Sequence, residues 1–122
     1  MSDMEIEKEI QEKGCTAPRV TPELIESVIS GEYYINGSTN YTCGVEGCVA
    51  SHAEALGLLT ICVLVLVNGF TVVGKSACAS AANFDLELGK KIARKDAVSQ
   101  IWLLEGYALK ERLSIAPVEA PK

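Results

Sequence analysis

The chain has 122 residues and a formal net charge of −5, with 48% hydrophobic and 22% charged residues. That length suits one domain with loose ends, and the composition is globular rather than disordered. The acidic balance argues against a general nucleic-acid binder, which carries a basic surface. The longest apolar run, residues 56–67, is shorter than the roughly 20 residues that span a bilayer. The opening SDMEIEKEIQEKG is charged and acidic, unlike a secretory signal.

Residues 2–17 form a short polar helix or arm ended by Gly14. Thr21 and Pro22 then make a helix start, Thr as N-cap and Pro at the first helical position. The helix PELIESVIS presents Leu24, Ile25, Val28 and Ile29 on one face, and Gly31 closes it. Tyr33, Tyr34 and Ile35 suggest a short strand, and residues 36–50 form a glycine-containing polar loop. A loop of that length is often functional or mobile.

Cys43 and Cys48 lie in this loop, just before His52, the single histidine. With Cys15 they make a conceivable set of soft zinc ligands. The spacing is looser than CxxC and no second close pair exists, so the default expectation is free thiols and no metal. Cys62, inside an apolar strand, is a small buried hydrophobe.

Residues 58–67 and 70–75 spell a β-hairpin around Asn68-Gly69, the favoured dipeptide of a two-residue type I′ turn. With that turn Val67 opposes Phe70 and Val65 opposes Val72 on one face, while Leu66 opposes Thr71 and Leu64 opposes Val73 on the other. The outgoing strand is apolar on both faces. One face packs on helices, and the other needs more protein to cover it.

The small residues after Cys78 lead into NFDLELGKKIARKDAVSQIWLLEGYALKERL, residues 83–113, which predict one long helix. Asn83 is the expected N-cap, with Asp85 and Glu87 in the first turn and Lys110 and Arg112 in the last. Gly89 suggests a bend and Gly106 a place where another backbone comes close. IWLLEGYAL, residues 101–109, is apolar on nearly every face and calls for cover all round, hence self-association. Lys90, Lys91, Arg94 and Lys95 form neighbouring i,i+4 rows of positive charge near Phe84. Helix N–H groups, cations and an aromatic ring are the minimum for a nucleotide site. A solvated helix face and a core phenylalanine are the plainer alternatives. The tail from Ile115 has no core-forming pattern and is expected to be disordered.

No acid, base or nucleophile stands at an informative spacing, so an enzyme is not expected. The run from Gly69 to Ser76 satisfies GxxxxGKS letter for letter. Its intervening residues read as a strand leaving a hairpin, not as a loop entering a helix, and the NTPase reading is rejected on that context.

The segments RVTPELIESVISGEYY, LLTICVLVLVNGFTVVGKSACASAANFD and LGKKIARKDAVSQIWLLEGYALKERL resemble a family of small tailed-phage proteins over residues 18–113. The Thoeris anti-defence sponge proteins belong to that family. They bind the cyclic ADP-ribose isomers made by bacterial TIR enzymes, without cleavage, and some bind cyclic di- or trinucleotides at separate sites.

The resemblance implies an α+β protomer with short N-terminal helices, an antiparallel hairpin or sheet and a long C-terminal helix, in a homodimer or homohexamer. It implies an N-terminal arm over 1–17, one domain over 18–114 and a tail over 115–122. It further implies a cyclic nucleotide held between chains in the host bacterial cytoplasm, with no cofactor, nucleic acid or membrane partner. Phe84 is then a base-stacking platform, and Arg94 with Lys110 or Arg112 contacts phosphate or ribose. Arg19 reaches a site across the dimer. The alternative of a different class is a structural or regulatory phage protein acting through protein–protein contact alone.

Overall fold

A computed structural model describes residues 2–14, 17–38, 41–44 and 46–115. The elements run α1 (Asp3–Glu12), α2 (Pro22–Ser27), β1 (Ile29–Asn36), α3 (His52–Leu56), β2 (Leu59–Leu66), β3 (Thr71–Ala77) and α4 (Leu86–Ile115). The α+β class is as expected: short N-terminal helices, an antiparallel sheet and a long C-terminal helix. The contacts divide into two compact units, one of residues 1–28 with 100–122 and the other of residues 29–99.

In the first unit, α1 starts with a capping box. Glu5 N–H donates to Ser2 Oγ at 3.1 Å, and Ser2 N–H donates to Glu5 Oε1 at 2.8 Å. Gly14, at φ 74°, follows the helix end. Thr21 caps α2 through its hydroxyl, with Pro22 in the first turn. That helix stops at Ser27, so Ile29 and Gly31 belong to β1 instead of continuing the helix. In α4, Ile101 is buried, whereas Leu103 is 76% and Tyr107 71% exposed. The apolar surplus expected at residues 101–109 is therefore real surface in the protomer. A Cβ on Gly106 would meet nothing within 4 Å among the described residues outside the helix's own backbone. The helix includes Ile115, which was expected to begin the tail; residues 116–122 lie outside the described part.

The second unit is a three-stranded antiparallel sheet in the order β1-β2-β3. β2 alternates cleanly, with Thr60, Cys62, Leu64 and Leu66 buried and the residues between them half-buried. The buried face meets α4 through Gly89, Ala93 and Ala97, three small residues at i,i+4 spacing that let helix and sheet backbones approach closely.

The hairpin register differs from the expected one by a residue. Leu64 pairs with Val72 and Val65 with Thr71. Gly69 N–H bonds to Leu66 O and Leu66 N–H to Phe70 O, both at 2.8 Å, so the loop is Val67-Asn68-Gly69. Gly69, the last residue of this loop, has positive φ, at 90°. A type I′ turn needs positive φ at both central residues, whereas a three-residue loop needs it only at the last. Phe70 and Val67 are consequently exposed, at 56% and 66%.

Candidate functional site

The start of α4 is set by Asp85, not Asn83. Asp85 Oδ1 accepts from Leu88 N–H at 3.2 Å, and Asp85 O accepts from Gly89 N–H at 2.9 Å. Asn83 instead ends a 3-10 turn over Ala81–Asn83, capped by the Ser80 hydroxyl. Phe84 follows in extended conformation, at φ −71° and ψ 131°. Its half-buried ring therefore hangs beside the helix start and does not lie on a helical face.

There it lines a pocket of about 180 Å³ with Ser76, Cys78, Asp85, Leu88, Gly89 and Ile92 among its walls. Gly89 is required at the back of this pocket. A Cβ on it would stand 2.9 Å from Thr60 Oγ1, so close approach to β2 explains the glycine better than a bend does. The buried Thr60 hydroxyl has no hydrogen-bond partner among the described residues, a condition that costs about 1–3 kcal/mol.

The basic row of α4 is split by the helix. Lys90 and Arg94 turn toward β1: Arg94 Nε donates to Glu32 Oε1 at 2.9 Å, and Lys90 Nζ lies 5.6 Å from the centre of the Tyr34 ring. Lys90 also approaches Glu87 at 3.6 Å. Leu88 and Ile92 turn toward the Phe84 pocket on the β3 side. Lys91 and Lys95, each three residues past one of these and so neighbours of them on the helix surface, are exposed and are not among the residues lining the pocket. Phe84 and Arg94 thus lie on opposite flanks of α4 in one protomer. The lysines were visible as charges in the sequence, but their flank depended on the helix register.

Glu32 also accepts from the Tyr34 hydroxyl at 2.6 Å. That bond, followed by the one from Arg94, holds the Glu32 carboxyl below its ordinary value of 4.5. Burial, then the bond to Glu32, pushes the Tyr34 phenol upward. Burial likewise raises the Cys62 thiol.

The remaining predicted site residues belong to the other unit. Arg19 donates through both terminal nitrogens to Glu7, at 2.5 and 2.6 Å. Glu7 is only 4% exposed and also accepts from Gln11 at 2.7 Å. The Arg19 bonds are the main reason its carboxyl lies below 4.5. Arg19 thus holds a buried carboxylate, which gives it a structural role whatever else it does. Lys110 and Arg112 are exposed near the end of α4.

Cys43 and Cys48 are joined by a disulfide, their Cα atoms 6.3 Å apart. This corrects the expectation of free thiols in the loop. Spacing alone left the pair open; the structure brings the two together. Both cysteines and His52 line a second pocket of about 250 Å³ with Tyr41, Val49 and Leu56. Cys15, the other member of the conceivable zinc set, lies outside the described residues.

A small α+β protein with a three-stranded antiparallel sheet, a long C-terminal helix whose first part packs on it, and an aromatic pocket at the helix start, is thus the class defined by fold and site. The chain belongs to the Phage protein (N4 Gp49/phage Sf6 gene 66) family, matched over residues 20–113. No curated protein and no solved structure matches it. No helix among the described residues is long and apolar enough to cross a membrane.

Proposed function

We propose that this phage-family protein is a homo-oligomeric sponge that sequesters cyclic nucleotide immune signals in the host cytoplasm without cleaving them. Cyclic ADP-ribose isomers are the first candidates, with cyclic di- or trinucleotides next. The observation that carries the reading is the Phe84 pocket: an aromatic ring beside the start of a 30-residue helix, with Lys91 and Lys95 on the same flank. A base stacks on the ring, and the phosphates lie toward the lysines and away from the Asp85 carboxylate.

Size decides the rest of the proposal. A pocket of about 180 Å³ is smaller than the roughly 300–1,000 Å³ typical of ligand sites. It holds a base but does not enclose a dinucleotide, so a second subunit must complete the site. Arg94, on the opposite flank of α4, contributes only to a site built with another subunit.

Calorimetric titration with cyclic ADP-ribose isomers tests the reading. Phe84→Ala is expected to weaken binding by about 1–3 kcal/mol through loss of stacking, with folding and assembly retained. Equal affinities for the variant and the parent protein would place the ligand elsewhere.

The second reading is a structural or regulatory phage protein working through contact alone. It is favoured by the outer sheet face, where Tyr33, Ile35 and Val73 are exposed next to half-buried Ile61 and Val63. Under that reading the protein assembles but takes up no cyclic nucleotide.

A further inference from the structure

The connection from β1 to β2 is clamped at its base and closed by a disulfide within it. At the base, Gly37 N–H donates to Leu59 O at 2.8 Å, and Asn36 Nδ2 donates to Gly57 O at 3.0 Å. A Cβ on Gly37 would collide with the Leu56 carbonyl oxygen, so the end of α3 sits hard against the end of β1. The Cys43–Cys48 bridge joins residues five positions apart. Both cysteines line the pocket of about 250 Å³, Cys43 in a wall with Tyr41, and Cys48 in a wall with Val49, His52 and Leu56. The bridge thus ties one wall of the pocket to the other.

Both cysteines are exposed, so thiols in solution have access to the bond. Exposed bridges belong to the labile class of disulfides, and a reducing compartment such as a bacterial cytosol does not preserve them by default. We propose that Cys43–Cys48 is a thiol-operated latch on this pocket. An external thiolate attacks one bridge sulfur, and the S–S electron pair leaves on the other cysteine, which takes up a proton. A second external thiol attacks the mixed disulfide and frees the first cysteine. Two external thiols are oxidised to one disulfide, and the bridge is reduced to two cysteine thiols. The pocket walls then part, while the clamp at Asn36 and Gly37 holds, and β1 stays paired to β2 from Ile29 to Asn36. The Phe84 pocket shares no lining residue with this one, so the latch goes beyond the sponge reading and stands or falls separately from it.

The test takes the full-length chain through mixtures of oxidised and reduced glutathione. Alkylation and mass spectrometry follow the bridge, and NMR follows Leu56 and His52, the single histidine. The His52 and Leu56 signals are expected to pass from one set to another with the same midpoint as the bridge. The amide signals of β2 and β3 should stay in place. A chain carrying both Cys43→Ser and Cys48→Ser should show the reduced set in every mixture. A bridge that survives a large excess of reduced glutathione overturns the proposal. So do His52 and Leu56 signals unmoved by reduction, since the bridge then gates nothing. Strand signals that shift along with them overturn it too, by making the bridge a staple for the whole sheet.

Discussion

Gly74 on β3 lies directly beneath Ala97 on α4: a Cβ on Gly74 would stand 2.9 Å from Ala97 Cα and closer still to the Ala93 carbonyl oxygen. Both obstacles are helix backbone, which cannot move aside as a flexible side chain can. Gly74→Ala is therefore expected to destabilise the fold by about 1–3 kcal/mol or more. Gly106→Ala, where the chain leaves open space, should stabilise an exposed helix position by up to about 1 kcal/mol. Urea denaturation of both variants checks the contrast. A loss of assembly in the Gly106 variant would show that another subunit packs there.

Thr60 supplies the opposite case, a polar group that the fold carries at a cost. Its hydroxyl is buried without a hydrogen-bond partner among the described residues, and valine has nearly the same shape. Thr60→Val should raise stability by about 1 kcal/mol in the same assay. A loss of similar size would mean that the hydroxyl has a partner in the assembled protein.

Acid should weaken the fold through Glu7 and Glu32. Both carboxyls are held below their ordinary value of 4.5 in the folded chain, Glu7 chiefly by Arg19 and Glu32 chiefly by Tyr34. As the pH falls below that value, the unfolded chain takes up protons before the folded one does. Their contribution is therefore complete above about pH 5 and is lost as the pH falls through the depressed folded values. Glu7→Gln should make stability less sensitive to pH between neutrality and pH 3, measured against Glu23→Gln as a control for net charge.

Much of this architecture was legible because local rules and tertiary packing agree. Thr21-Pro22 starts α2, and the run after Phe84 is helical to Ile115. The errors fell where two nearby residues compete for one role. Asn83 and Asp85 are both good caps, and only the packing of the preceding 3-10 turn selects the second. Asn68-Gly69 suits two hairpin loops, and the longer one puts Leu64 opposite Val72 on the buried face. The candidate site inherited the first error. Counting helical spacing from Asn83 put Phe84 on the helix with Arg94, whereas the ring precedes α4 and opens toward Leu88 and Ile92.

The disulfide was beyond spacing arguments, since a Cys-x4-Cys pair serves a metal, a bridge or neither. Alkylation of the denatured, unreduced protein should label Cys62 and Cys78, the free cysteines of the described residues, and spare Cys43 and Cys48. Labelling of all four would mean that the bridge does not form in solution.

The central claim is capture of a cyclic nucleotide without chemistry at a site that one chain cannot complete. The most direct measurement incubates the protein with a cyclic ADP-ribose isomer, removes unbound ligand, denatures the complex by heat and identifies what is released by mass spectrometry. The expected result is intact isomer, recovered in fixed ratio to the assembled protein and reduced in Phe84→Ala. Release of a linear or hydrolysed product would make the protein an enzyme, and failure to retain any isomer would contradict the sponge reading.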